Sequence, residues 1–296
     1  MALHPQALAY LQALPPASSD VDTIRAAALE AARRYGGPTV ELPSVNDVAV
    51  SGVPCRLYQP SSGGRLPVLV HVHGGGWVAC DLDTHDALCR RLAAESGWAV
   101  LAVDFRRSPE HPFPAAIEDV EAVGDAVRAG ALSTVDETRL AILGDSAGGT
   151  IAAVVARRDR DAGRAPYLLQ VLVYPVIDPA MGTHSYREYA EGAGLTAAGM
   201  AFYWDAYGPD RRDDPDVSPL HATDLRGLPP ALVLTAEHDS LRDEGEAYAA
   251  ALAEAGVPVV AHRVLGLVHG FWRLPGAFDA AGAAITQVAG ALRALD

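Results

Sequence analysis

Three residue types that together perform acyl transfer occur in this chain in a telling order. Ser146 lies in Gly144-Asp145-Ser146-Ala147-Gly148-Gly149, between the apolar run Leu140–Leu143 and an Ala/Val/Ile segment that reads as a helix start. A serine on so tight a strand-to-helix turn needs small neighbours, and Gly144 and Gly148 let the backbone pass closely. The turn also holds the hydroxyl near a helix N-terminus, where developing negative charge is favoured. A serine hydroxyl is a poor nucleophile at its own pKa. It needs a base within hydrogen-bond reach and a group that orients the base. Of the ten histidines, His269 stands just after a late strand among small residues, in Val268-His269-Gly270. Asp239 follows the preceding strand, in Thr235-Ala236-Glu237-His238-Asp239. The order is Ser146, Asp239, His269. A tetrahedral oxyanion also needs donors. Ala147 N–H, directly after the serine, is one candidate, and the glycines after His73 in His73-Gly74-Gly75-Gly76-Trp77 supply others.

These residues need a frame that brings strand ends together. Val48–Val50 and Val53–Tyr58 flank Ser51-Gly52 as a hairpin. Leu66–Val72 is almost continuously apolar, as a strand buried on both faces is, and runs into His73. Trp98–Val103, Leu140–Leu143, Tyr167–Tyr174, Ala231–Thr235 and Val257–Val264 read as further strands. Helical segments separate them at Thr84–Ser96, 115–129, after Ser146 and at Leu241–Ala255, and Phe278–Leu295 closes the chain. The alternation predicts an α/β fold, a mostly parallel sheet with helices on both faces. Sites in such sheets form at the carboxyl ends of strands, where all the candidates fall.

Two stretches break the alternation. Residues 1–16, with Leu8, Leu11 and Leu14 at helical spacing, and Val21–Arg34 read as helices ahead of the sheet. From Asp178 to about Leu228 no strand is visible, and an insertion of that size in an α/β domain calls for a purpose. The expected organisation is N-terminal cap helices over 1–45, a catalytic domain over 46–177 and 229–296, and a helical cap insertion over 178–228.

With these residues in view, the chain resembles the hormone-sensitive-lipase-like group of α/β-hydrolases, bacterial carboxylesterases with a His-Gly-Gly-Gly motif. The resemblance rests on His73–Trp77, Gly144–Gly149, Ser108-Pro109-Glu110-His111-Pro112-Phe113-Pro114-Ala115-Ala116, Tyr174-Pro175, Asp239-Ser240-Leu241-Arg242-Asp243-Glu244 and His269-Gly270-Phe271. It covers almost the whole chain. It implies an eight-stranded sheet with a helical cap and hydrolysis of short- to medium-chain carboxylic esters without a cofactor. It also implies oxyanion donors at Gly75, Gly76 and Ala147. Asp145 places the chain in the Gly-Asp-Ser-Ala-Gly branch. Phe105-Arg106-Arg107-Ser108 departs from the family's usual Tyr-Arg-Leu-Ala, and Ser240 stands where the family often has proline.

Two other readings share this fold. Amide-cleaving relatives of the aryl-formamidase or deacetylase type carry the same motif and triad. Ligand-binding receptors usually lose the histidine, which His269 argues against. Other residues have plainer roles to weigh. His73 and Gly74 support the oxyanion loop. Asp145, beside the serine, is a polar contact and a candidate substrate-binding residue. Asp243 and Glu244 open a helix whose dipole they complement, and they rival Asp239 as orienter. Trp77 is a pocket candidate beside the oxyanion loop. Phe202, Tyr203, Trp204 and Tyr207 either pack the cap or line the pocket. His71 and His73 share one strand face, but no third ligand is spaced for a metal.

Composition narrows the partners. The 296 residues are 50% hydrophobic and 20% charged, with net charge −14. That suits one large domain with a substantial core and excludes a nucleic-acid partner, which needs clustered Lys and Arg. Cys55, Cys80 and Cys89 are too few for a disulfide framework. No signal peptide or membrane span is visible. A cytoplasmic enzyme acting on a small ester is the expectation. Ile285 and Val288 of the last helix offer either a homodimer face or core packing.

Overall fold

The computed structural model describes residues 2–295. In chain order its strands are β1 (Ser44–Val50), β2 (Val53–Gln59), β3 (Leu66–Val72), β4 (Ala99–Val103), β5 (Val135–Asp145), β6 (Gln170–Val173), β7 (Ala231–His238) and β8 (Val259–Val268). Its α-helices are α1 (Pro5–Gln12), α2 (Val21–Tyr35), α3 (Asp86–Ser96), α4 (Ala115–Arg128), α5 (Ala147–Asp161), α6 (His184–Glu188), α7 (Ala197–Tyr207), α8 (Arg242–Glu254) and α9 (Asp279–Arg293). The strands form one sheet in the order β1-β2-β4-β3-β5-β6-β7-β8. β2 runs antiparallel to both neighbours, and β4 through β8 are parallel. This is the mostly parallel eight-stranded α/β sheet expected.

Side-chain alternation distributes the core to both faces. On β3, Val68, Val70 and Val72 join the cluster under α4, α5 and α8. Leu69 between them joins the cluster under α3 and α9. Both faces are covered, so β3, β4, β6 and the Leu140–Leu143 half of β5 read as largely apolar runs rather than alternating ones. Ile285 and Val288 are fully buried in the second cluster. They are core residues and offer no dimer face.

The first helix is shorter than its leucine spacing predicts. It starts at Pro5, capped by the His4 side chain, and ends at Gln12. Ala7 is its one buried residue, while Leu8 is 48% exposed. The helix docks by its end, His4 N–H donating to Gly266 O at 2.9 Å. α2 lies elsewhere, on the segment after the glycine run, where Arg25 Nε donates to Val78 O at 2.9 Å. Arg25 also forks onto Glu110, both contacts 2.7 Å, and holds that carboxyl down at about 2. The 178–228 stretch carries α6, α7 and a 3-10 turn at Pro219–His221, and no strand.

Candidate active site

The turn after β5 holds Ser146 at φ 54°, ψ −122°. That is a strained backbone for a residue with a Cβ, and it is held by its surroundings. Ser146 N–H donates to Val173 O at 2.9 Å, and Ser146 O accepts from Val176 N–H at 3.2 Å. A Cβ on Gly148 would stand 2.1 Å from Val72 O, so glycine is required where α5 crosses the end of β3. β7 ends at His238 and β8 at Val268, which puts Asp239 and His269 just beyond two neighbouring strand ends.

The three side chains meet. His269 Nε2 is 3.0 Å from Ser146 Oγ, and His269 Nδ1 is 2.8 Å from Asp239 Oδ2. The second Asp239 oxygen accepts from Leu241 N–H at 3.0 Å, so the carboxylate cannot swing. Asp239 is fully buried and Ser146 is 6% exposed. The Tyr174 ring packs against the His269 ring at 4.5 Å. The carboxylate accepts a hydrogen bond from Nδ1–H, which keeps the proton on that nitrogen and leaves Nε2 with a lone pair facing the hydroxyl. In that tautomer the histidine can take the serine's proton and later return it to a leaving group.

The glycine run presents backbone donors by peptide-plane geometry. His73 Nδ1 lies 2.8 Å from Gly74 O. A carbonyl only accepts, so Nδ1 carries the proton. A trans peptide points its N–H opposite its C=O, so this bond turns Gly75 N–H to the other side. Gly75 O accepts from Val78 and Ala79 N–H at 3.1 and 2.8 Å, which orients Gly76 N–H likewise. As the first residue of α5, Ala147 has no intrahelical acceptor for its N–H. These three N–H groups make no hydrogen bond to the described residues. Gly75 and Gly76 sit at φ 107° and 62°, which only glycine adopts freely.

Asp145 props this loop from below. Its Oδ1 accepts from Gly74 N–H at 3.1 Å and lies 3.3 Å from His85 Nε2. Burial would raise its carboxyl, but His85, with His71 and His73, outweighs that and holds it at about 2. Burial pushes His71 and His73 down to about 3, so both are neutral at ordinary pH. Asp145 is therefore a support under the loop rather than a pocket wall. The pairing of His85 with Asp145 has no signature in the sequence, because the two are brought together only when the segment entering α3 packs against the end of β3, with the His85 ring beside those of His71 and His73. Among the described residues no group of three His, Cys, Asp or Glu could hold a metal.

The aromatic candidates divide. Trp77 is fully buried, stacked on Tyr207 at 4.2 Å and 8°, and against Trp204 at 4.6 Å. Trp204 is also fully buried. Both belong to the core joining α7 to the glycine run, so the expectation that they line the pocket is corrected. Phe202 and Tyr203 remain partly open. The Tyr203 ring lies directly over Gly76, where a Cβ would come within 2.3 Å of it. Burial pushes its hydroxyl up to about 12. Asp243 and Glu244 bond to Ser185 and Ile177 backbone N–H groups, and it is Asp239 that reaches His269. Cys80 and Cys89 are buried with raised thiol pKa values, the reverse of reactive cysteines.

A parallel sheet with a serine on the turn after its fifth strand, and an acid and a histidine at two further strand ends, defines an α/β hydrolase. The chain belongs to the family described as having the alpha/beta hydrolase fold, which matches residues 69–273. It is similar to the carboxylic ester hydrolase LipN of Mycobacterium tuberculosis, 40% identical over 87% of this chain and 72% of that protein. It is 33% identical to an ethyl acetate hydrolase of Pseudomonas putida, covering 99% of each. A hyperthermophilic esterase from the archaeon Pyrobaculum calidifontis superposes with a TM-score of 0.93 at 38% identity, over 100% of this chain and 99% of that one.

Proposed function

We propose that Ser146, His269 and Asp239 are the nucleophile, the base and the orienting acid of this carboxylic ester hydrolase, with Gly75, Gly76 and Ala147 as its oxyanion donors. The observation that carries the reading is the continuous relay from Ser146 Oγ through His269 to Asp239, at 3.0 and 2.8 Å. His269 takes the proton as Ser146 attacks the ester carbonyl. The three N–H groups receive the negative oxygen. Protonated His269 then donates to the leaving alcohol, and water activated by the same ring releases the acid. No cofactor takes part in these steps. Within the fold family we place the chain in the hormone-sensitive-lipase-like branch, on its His-Gly-Gly-Gly and Gly-Asp-Ser-Ala-Gly motifs.

Residues 178–228 serve as the cap, with α7 as its working face. Phe202 and Tyr203 line the acyl side. A ring over Gly76 limits the space beside the oxyanion donors, which favours short to medium acyl chains. The protein's three cysteines are free and buried, which fits a reducing cytoplasm. No helix among the described residues is long and apolar enough to cross a membrane.

The test is a panel of p-nitrophenyl esters from acetate to laurate, with matched p-nitroanilides. The expected kcat/KM is highest at or below about eight acyl carbons and at least 100-fold higher on esters than on anilides. A preference for anilides, or a maximum at laurate, would sink this reading.

A further inference from the structure

Glu244 stands in the first turn of α8, five residues past Asp239, and only 1% of it is exposed. Its Oε1 accepts from Ile177 N–H at 2.8 Å. On the other side of that residue, Ile177 O accepts from Ser218 Oγ at 2.9 Å. Ile177 is the last residue before the 178–228 stretch, so both of its backbone groups are gripped by side chains. The segment arriving there has just passed the nucleophile turn. Val176 N–H donates to Ser146 O at 3.2 Å, and Val176 O accepts from Thr150 Oγ1 at 2.5 Å. A second tie runs alongside. Asp243 Oδ2 accepts from Ser185 N–H at 2.7 Å, and Ser185 Oγ donates to Ser240 O at 2.7 Å. Ser240 directly follows Asp239. One short strap thus touches the serine turn, the Asp239 turn and the insertion at Ser185 and Ser218.

A helix dipole does not explain Glu244. An exposed first-turn carboxylate complements a dipole at little cost, whereas this one is buried with Oε2 unbonded. Burial raises its carboxyl well above the ordinary range. A buried polar group without full pairing is expensive, and a methionine would fill the same volume. What the acid supplies is an acceptor for an N–H that would otherwise be orphaned.

We infer that Glu244 is a positioning residue for ester hydrolysis: by holding Ile177 it locks the root of the insertion to the turn that carries Asp239. The inference rests on the triad reading above. Loss of the Ile177 bond lets the strap and the Asp239 turn drift, and displacements of about 1 Å in such sites cost about 100-fold in rate.

The experiment compares wild type, Glu244→Gln and Glu244→Ala on p-nitrophenyl butyrate, with live sites counted by a fluorophosphonate titrant. Glu244→Gln keeps an uncharged acceptor of the same shape, and kcat per live site is expected to stay within about threefold of wild type. Glu244→Ala is expected to lower kcat per live site about 10- to 100-fold while KM moves less than about twofold. Should Glu244→Ala not accumulate as folded protein, Ser185→Ala removes the hydroxyl part of the parallel tie, its bond to Ser240 O, while the backbone bond to Asp243 stays, with a fall of about three- to tenfold and the same kcat-against-KM split expected. A purely structural residue would change the number of live sites and leave kcat per live site untouched. That result, or equal loss in the Gln and Ala variants, overturns the inference while leaving the triad intact. A wild-type enzyme that neither hydrolyses the ester nor takes the titrant would remove the triad reading and this inference with it.

Discussion

Asp239 accepts from both His269 Nδ1 and Leu241 N–H, so each of its oxygens has one fixed duty. Replacing the carboxylate by an amide keeps the shape but sets an N–H₂ against one of two donors, which favours the wrong imidazole tautomer. Asp239→Asn is therefore expected to lower kcat on p-nitrophenyl butyrate by about 10⁴-fold with KM little changed. A loss below tenfold would show that the histidine is oriented by something else. Ser146, Asp239 and His269 were legible because each sits at a strand end among glycines or small residues, where local sequence and chemistry agree. His85 was not legible. Its contact with Asp145 joins two distant segments, and nothing local in Asp83-Thr84-His85 marks it.

At the scale of elements, close backbone approach decides more than side-chain chemistry. The end of β3, the start of α5 and the glycine run occupy nearly the same space. A methyl at position 148 would meet Val72 O at 2.1 Å and His73 O at 2.6 Å. Gly148→Ala is expected to lower unfolding stability by about 2–4 kcal/mol, read as a fall in the urea midpoint. An unchanged midpoint would mean that these elements can separate freely. On the other side of the site, Tyr203→Ala uncovers Gly76. It should shift the kcat/KM maximum towards longer acyl chains by about two to four carbons. A profile unchanged by the substitution would move the acyl wall elsewhere. The buried strands followed the apolar patterning, since a sheet buried on both faces announces itself, whereas the polar first half of β5 and the short first helix did not. The fate of Trp77 and Trp204 did not. An aromatic residue in the sequence signals buried area, but whether that area faces a ligand or another ring depends on how α7 lands. Here Tyr207 stacks on Trp77 and closes the gap.

For the molecule as a whole, the buried histidines make stability depend on pH. His71 and His73 titrate near 6.5 when unfolded and at about 3 when folded, because burial disfavours their charged form. Below pH 6.5 the unfolded chain therefore binds protons that the folded chain does not, and stability falls with pH. Each histidine contributes a slope of about 1.4 kcal/mol per pH unit between those limits. Asp145, held at about 2, acts in the same direction lower down, its stabilisation being lost as pH falls through that value. Urea unfolding at pH 7.5 and 5.0 should show a clear loss of stability at the lower pH, and His71→Leu should reduce the slope. A flat profile would contradict the buried, neutral state of these rings. The histidines beside the glycine run thus add to the acid sensitivity of the fold.

Ser146 is the residue on which the proposed chemistry turns. Its hydroxyl faces His269 Nε2 at 3.0 Å on a turn whose backbone is strained to present it. The most direct measurement is hydrolysis of p-nitrophenyl butyrate by wild type and Ser146→Ala, with intact-mass analysis after fluorophosphonate treatment. The expected result is a fall in kcat of at least about 10⁴-fold, one phosphonyl group on the wild type at Ser146, and none on the variant. Hydrolysis at the wild-type rate by the variant, or labelling at another residue, would contradict it.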